Sequence, residues 1–254
     1  MSILDQFKLT DKVALVTGAA RGLGQGMALA LAEAGAHIVA VDIIDAAETK
    51  TKVEALGRKC IFVTGDLSQG PEAAQKVVDA AIANLGTVDI LVNNAGIIRR
   101  TDFLEFSKKD WDDVMKINID AVFFLSQSVG RVMAKQGSGR IINIASMLAF
   151  QGGVRVPSYA ASKSAVAGLT RLMACELGPK GINTNAIAPG YMATDNTTAL
   201  REDAARNQAI LDRIPLGRWG TPADLMGMVV FLASPASSYC NGFIYAVDGG
   251  WLAR

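Results

Sequence analysis

Histidine is almost missing from this chain: His37 stands alone among 254 residues. A site built on two or more imidazoles is thereby excluded, and a Ser-His-Asp triad would have to recruit His37 itself. His37 opens an apolar run, which reads as a structural position. Cysteine is scarce too. Cys60, Cys175 and Cys240 are odd in number, far apart and form no C-x-x-C pair. They fit a reduced, cytoplasmic protein in which all three serve as small core residues, with no metal site expected. Long apolar runs are lacking, since nothing approaches the ~18 residues of a spanning helix, so no membrane partner is expected. The first ten residues carry Asp5 and no continuous apolar stretch, which does not read as a signal peptide. An excess of one charge is also lacking. Lys and Arg total 25 against 24 Asp and Glu, with no polybasic run, which argues against a nucleic-acid surface.

What the chain does have is apolar material spread along its whole length, half of all residues. Short β-rich runs at 13–17, 37–42, 60–64, 89–92, 140–144, 182–187 and 243–247 alternate with helix-capable segments at 23–34, 46–56, 72–84, 107–133, 159–177 and 222–233. The long 107–133 segment begins at Ser107, a candidate N-cap, and is expected to break near Asn118. Residues 195–213 are polar and helix-capable. Strands alternating with helices imply βαβ units, and strands apolar nearly throughout imply helices on both faces of a parallel sheet. The expected architecture is α/β: one Rossmann-type, doubly wound domain over residues 1–254, with a seven-stranded parallel sheet.

The first strand runs into Thr17-Gly18-Ala19-Ala20-Arg21-Gly22-Leu23-Gly24 and then a helix. Glycines let backbone approach a pyrophosphate, and a helix N-terminus supplies free N–H groups and a favourable dipole. A glycine cluster alone equally describes a tight turn. Its place at the first βα junction, with Asp42 ending the next strand where an acid can bind ribose hydroxyls, favours the dinucleotide.

Tyr159 and Lys163 lie four apart at the start of a helix and so share a face. Free tyrosine titrates near 10, and a neighbouring ammonium favours the phenolate. Tyr159 can then take a proton from an alcohol and return it to a ketone. Ser146 lies just beyond the fifth strand, at the ligand-binding edge of such sheets, where its hydroxyl can hold the substrate oxygen. A Y-x-x-x-K pair alone also fits a surface tyrosine beside a solvated lysine.

These motifs, in order and spacing, resemble the short-chain dehydrogenase/reductase family over nearly the full length. The matches are T-G-x-x-x-G-x-G at 17–24, N-N-A-G at 93–96, Asn118, Ser146, Y-x-x-x-K at 159–163 and Pro189-Gly190. The resemblance implies a catalytic set of Asn118, Ser146, Tyr159 and Lys163, with Asn118 holding a water that links Lys163 to solvent. It implies a nicotinamide dinucleotide on Gly18, Arg21, Gly22, Leu23, Gly24 and Asp42. Asp66, with Leu67 beside it, would meet the adenine. Asn93, Ala95 and Gly96 would flank the ribose, and Pro189, Gly190, Met192 and Thr194 the nicotinamide carboxamide. It also implies the strand order 3-2-1-4-5-6-7 and a homotetramer.

Asp42 would accept from both ribose hydroxyls of NAD and repel the 2′-phosphate of NADP, while Arg21 is a cation that could hold that phosphate. The residues after Asp42 are Ile43, Ile44 and Asp45, none basic, so NAD is expected, with NADP possible. Within the family, the segments at 93–100, 110–115, 141–147, 151–159, 188–194, 213–220 and 246–254 are similar to the sugar-acid dehydrogenases, which implies a sugar-acid substrate. Gluconate-type and 3-oxoacyl thioester reductases of the family are the alternatives, and a non-catalytic NAD-sensing protein a remote one. Arg100 and Arg155, the latter four residues before Tyr159, are candidates to bind a carboxylate. Residues 195–213 would form a mobile flap over the substrate. Trp219 and Trp251 are assigned to packing.

Overall fold

The computed structural model describes residues 2–254. Seven strands form one parallel sheet: β1 (Val13–Thr17), β2 (His37–Asp42), β3 (Cys60–Thr64), β4 (Ile90–Asn93), β5 (Gly139–Ile144), β6 (Ile182–Pro189) and β7 (Ile244–Val247). Their order is β3-β2-β1-β4-β5-β6-β7, as expected. The helices are α1 (Gly22–Glu33), α2 (Ala47–Ala55), α3 (Pro71–Leu85), α4 (Lys108–Met115), α5 (Ala121–Gln136), α6 (Pro157–Leu177), α7 (Thr198–Glu202), α8 (Ala204–Leu211) and α9 (Pro222–Ala233).

The strands are apolar along most of their length because alternate residues feed two cores. Ala14 and Val16 of β1 join Ile38 and Ala40 of β2 beneath α1, α2 and α9. Val13 and Leu15 join Val39 and Val41 beneath α3 and α5. A further cluster ties Val166 and Ala167 of α6 to Ala186 and Ala188 of β6. The chain leaves β1 toward β2 and β4 toward β5, so the C-terminal ends of β1 and β4 part and open a crevice between them.

Local chemistry sets the ends of the elements. Ser107 caps α4 by accepting from the Asp110 N–H at 3.0 Å. Gly86 and Gly137 end α3 and α5 in the left-handed conformation. The expected break near Asn118 is a π turn at Lys116–Asp120, through which α4 runs on into α5. Residues 195–213 form short pieces instead of one helix, because Asp203 stops α7 and caps α8, accepting from the Arg206 N–H at 3.0 Å.

One expectation needs correction, that all three cysteines lie in the core. Cys60 is buried, but Cys175 of α6 is exposed and Cys240 is half-buried. His37 is structural: its Nδ1 accepts from the Lys59 N–H at 3.1 Å, at the sheet end opposite the crevice. Trp219 and Trp251 stack edge-on against Tyr191, with ring centroids 5.4 and 4.7 Å apart, and this aromatic group supports the loop after β6. Among the described residues, no helix is long and apolar enough to cross a membrane.

Candidate active site

A cleft of about 930 Å³ opens along the C-terminal ends of β1 to β6. Its floor begins with the phosphate loop. Gly18 and Gly22 both have positive φ, +64° and +59°, which a side chain would strain. A Cβ on Gly24 would lie 1.9 Å from the Gly18 carbonyl oxygen, so only glycine lets α1 pack this close to β1. A Cβ on Gly22 would instead meet open space. Arg21 occupies the N-cap of α1 without capping it through its side chain. The N–H groups of the first turn therefore keep their hydrogen-bonding capacity for a ligand, and Gly22, Leu23 and Gly24 line the cleft.

The loop is braced from β4. The Thr17 hydroxyl accepts from the Asn94 and Ala95 N–H groups at 3.0 and 2.9 Å. The Asn94 amide donates to the Thr17 and Gly18 carbonyls at 2.8 and 3.2 Å. Asn94 is thus the side chain that ties the two strand ends together, although Asn93 is the residue singled out from sequence. Asn93 points into the interior, where its amide donates to Ser126 Oγ and Asn143 Oδ1, both at 2.9 Å. Asn143 in turn donates to Thr170 Oγ1 at 2.9 Å. This buried network joins α5, two central strands and α6 with its members paired.

At the other end of the loop, Asp42 Oδ2 accepts from the Ala20 N–H at 3.0 Å, and Oδ1 from the Ile43 N–H at 2.8 Å. Oδ1 also accepts from the Ile44 N–H at 3.3 Å, so Oδ2 is the oxygen with acceptor capacity to spare, and Asp42 lines the cleft. Asp66 accepts from Ser68 and Gln69, which hold its carboxyl below the ordinary range. Loop glycines, open helix N–H groups and two acids in a row suit an adenosine ribose linked to a pyrophosphate.

The reacting end lies where β5 meets α6. Ser146 follows β5, and Tyr159 and Lys163 project from the first turns of α6; all three line the cleft. The Lys163 ammonium sits 5.5 Å from the centre of the Tyr159 ring. It is buried and donates to the Ile144 carbonyl at 2.6 Å. Burial pushes its pKa down to about 8. Burial pushes the Tyr159 phenol up, against a hydrogen bond with Ser146 and the positive charge of Arg100, which both pull it down. Arg100 lines the same cleft.

Asn118 lies just behind the cleft wall, in the π turn. Its Oδ1 accepts from the Ile97 N–H at 2.9 Å, and its Nδ2 donates to the Ile97 carbonyl at 3.0 Å and to Ser162 Oγ at 3.1 Å. Ser162 passes the contact on, donating to the Tyr159 carbonyl at 2.8 Å. Asn118 and Ser162 thus brace the segment after β4 against the turn that carries Tyr159. Ser162 was missed from sequence, although it lies three residues after Tyr159 on the same helix face.

Pro189, Gly190, Met192 and Thr194 line the cleft after β6. A Cβ on Gly190 would come within 2.6 Å of Asp248 Cα, so glycine sets this close approach. Arg155 is not brought to the cleft. It stands at φ +62° before α6 begins, paired with Asp102 at 3.1 Å. The front of residues 195–213 does reach the site. Asp195 pairs with Arg21 at 2.7 Å, and the Asn196 carbonyl accepts from Arg100 at 3.2 Å.

The glycine loop, the acid after β2 and the serine–tyrosine–lysine group on one cleft define a class. A family model described as enoyl-(acyl carrier protein) reductase matches residues 18–252, and the chain belongs to the short-chain dehydrogenase/reductase family, whose members are nicotinamide-dependent oxidoreductases. Among its relatives is the 2-dehydro-3-deoxy-D-gluconate 5-dehydrogenase of Dickeya dadantii, 62% identical over 99% of this chain and 100% of the relative. The protein of the same name from Escherichia coli is 60% identical with the same coverage. A crystal structure of a gluconate 5-dehydrogenase from Burkholderia cenocepacia, in complex with NADP and tartrate, superposes with a TM-score of 0.96 at 39% identity, covering 100% of both chains.

Proposed function

We propose that this protein is an NAD-dependent dehydrogenase of a sugar acid, acting on one secondary hydroxyl or its ketone. The substrate is of the 2-dehydro-3-deoxy-D-gluconate or 2-deoxy-D-gluconate type. The observation that carries this is the arrangement at the cleft's reacting end. A tyrosine for proton transfer stands within the field of a cleft-lining arginine, Arg100, which offers an incoming carboxylate its counter-charge. The two 5-dehydrogenase relatives support the same substrate class.

The bound nicotinamide supplies a hydride acceptor or donor. Everything else falls to the chain. Gly22 to Gly24, in the first turn of α1, would hold the pyrophosphate, Asp42 the ribose, and Thr194 and its neighbours the carboxamide. Ser146 donates a hydrogen bond to the substrate oxygen, keeping it beside Tyr159 Oη. In oxidation the hydroxyl proton passes to the Tyr159 phenolate; in reduction the phenol returns it to the carbonyl oxygen. Lys163 favours the phenolate by its charge, and Asn118 with Ser162 fixes the turn from which Tyr159 projects. The reading includes a homotetramer in the cytoplasm. Trp111 of α4, Phe123 of α5 and Leu172 of α6 leave apolar surface exposed, as subunit contacts require.

The test is the initial rate of NADH formation from 2-deoxy-D-gluconate, with D-gluconate alongside, and of NADH consumption with 2-dehydro-3-deoxy-D-gluconate's oxidised partner and with a 3-oxoacyl thioester. Preference for the deoxy acids carries the proposal. Preference for the thioester sinks it. For the cofactor, Asp42→Ala is expected to raise kcat/KM with NADP relative to NAD by tenfold or more, because it removes the charge that repels the 2′-phosphate. An unchanged ratio would mean that Asp42 does not read the ribose.

A further inference from the structure

Arg21 is the single cation of the phosphate loop between Thr17 and Gly24. Its guanidinium does not meet Asp42. It reaches across the mouth of the cleft to Asp195, 174 residues away in sequence, with Nη1 2.7 Å from Oδ2. This is the one hydrogen bond that either side chain makes among the described residues. Asp195 stands at the start of the flap, directly after Thr194. At the next residue, the Asn196 carbonyl accepts from Arg100.

The backbone of the loop is fixed close to the ribose end. The Ala20 N–H is bound to Asp42, so Arg21 begins one residue from the acid that reads the ribose. The Arg21 side chain is long and exposed, so rotation about its own bonds can redirect its charge from Asp195 without movement of the loop. A 2′-phosphate and the Asp195 carboxylate are therefore rival acceptors for one guanidinium, and either can take it in bidentate fashion.

We propose that Asp195 is a specificity-determining residue: by holding Arg21 against the flap, it withholds the loop's cation from a ribose 2′-phosphate and so shifts the enzyme toward NAD. The inference rests on the cofactor reading above and adds a second discriminator to Asp42. Asp42 repels the phosphate; Asp195 removes the charge that would attract it. Both partners of the pair are exposed, 69% and 73%. Such a contact is soft and screened by salt, so it sets a graded preference, and the preference weakens as ionic strength rises.

The test is equilibrium titration of the full-length protein with NADH and with NADPH, followed by the fluorescence of the reduced nicotinamide. Asp195→Asn is expected to tighten NADPH relative to NADH by about two- to fivefold, the scale of one exposed ion pair. Asp195→Glu keeps the wild-type ratio. Adding Arg21→Ala to Asp195→Asn abolishes the gain. An unmoved ratio in Asp195→Asn overturns the inference. So does a gain that persists without Arg21, since it would then come from the flap's charge alone. Wild-type protein that prefers NADPH overturns the NAD reading; the shift between wild type and Asp195→Asn still decides the role of Asp195.

Discussion

Tyr159→Phe is expected to lower turnover at least a hundredfold while leaving the affinity for NADH within about twofold. The substitution deletes one oxygen and keeps the ring, so the cleft wall and the start of α6 stay in place. What is lost is the acceptor for the alcohol proton, and a positioned acid–base group is worth roughly 10²–10⁴ in rate. The pH profile gives a second reading. Burial raises the Tyr159 phenol above its ordinary value, so the reactive phenolate is a minority species near neutrality. Oxidation by wild-type protein should therefore accelerate as pH rises, about tenfold per unit up to about pH 8, where Lys163 sheds the charge that favours the phenolate and the slope falls off. The residual activity of Tyr159→Phe should lack this slope. Initial rates of NADH formation across pH 6–10 check both points. Retained turnover, or an identical slope in the variant, would remove Tyr159 from the proton path.

The fold was almost entirely legible because the strands are apolar along most of their length and alternate with segments of helical periodicity. The elements that position the site were harder to read, for reasons of geometry. Arg155 and Tyr159 are four residues apart, yet that spacing aligns side chains only inside a helix, and α6 begins at Pro157. Arg155 lies outside it, so its side chain leaves the cleft and pairs with Asp102. Residue periodicity marked an irregularity at Asn118 but could not tell a break from a π turn, since both shift the phase of the apolar stripe. Asn93 and Asn94 are adjacent and alike, and only the end of β4 decides that one faces the interior and the other the loop. The pairing of Arg21 with Asp195 joins the N-cap of α1 to a short 3-10 turn far along the chain, and no local pattern announces it.

Lys163→Met is expected to cost at least a hundredfold in turnover and yet to raise thermal stability at pH 7. Folding buries the ammonium, whose pKa falls to about 8 from the 10.5 of a free lysine. A shift of that size corresponds to a cost of about 3 kcal/mol when the group is charged. Folded protein releases this proton near pH 8, whereas the unfolded chain keeps it until about 10.5. Between those values the unfolded state holds more protons, so rising pH favours the folded state. The cost is complete below pH 8 and gone above 10.5. Methionine fills nearly the same volume without the charge. It also abandons the Ile144 carbonyl, to which Lys163 donates, and that loss returns about 1 kcal/mol. The net gain of about 2 kcal/mol should raise Tm by several degrees at pH 7. The advantage should shrink steadily between pH 8 and pH 10, where the wild-type lysine is itself neutral. Calorimetric melts of both proteins at pH 7, 8.5 and 10 measure it. A variant that melts lower at pH 7, or a difference that does not change with pH, would show that the buried ammonium carries no such penalty. The charge would then not be available, at a cost in stability, to hold the Tyr159 phenolate for catalysis.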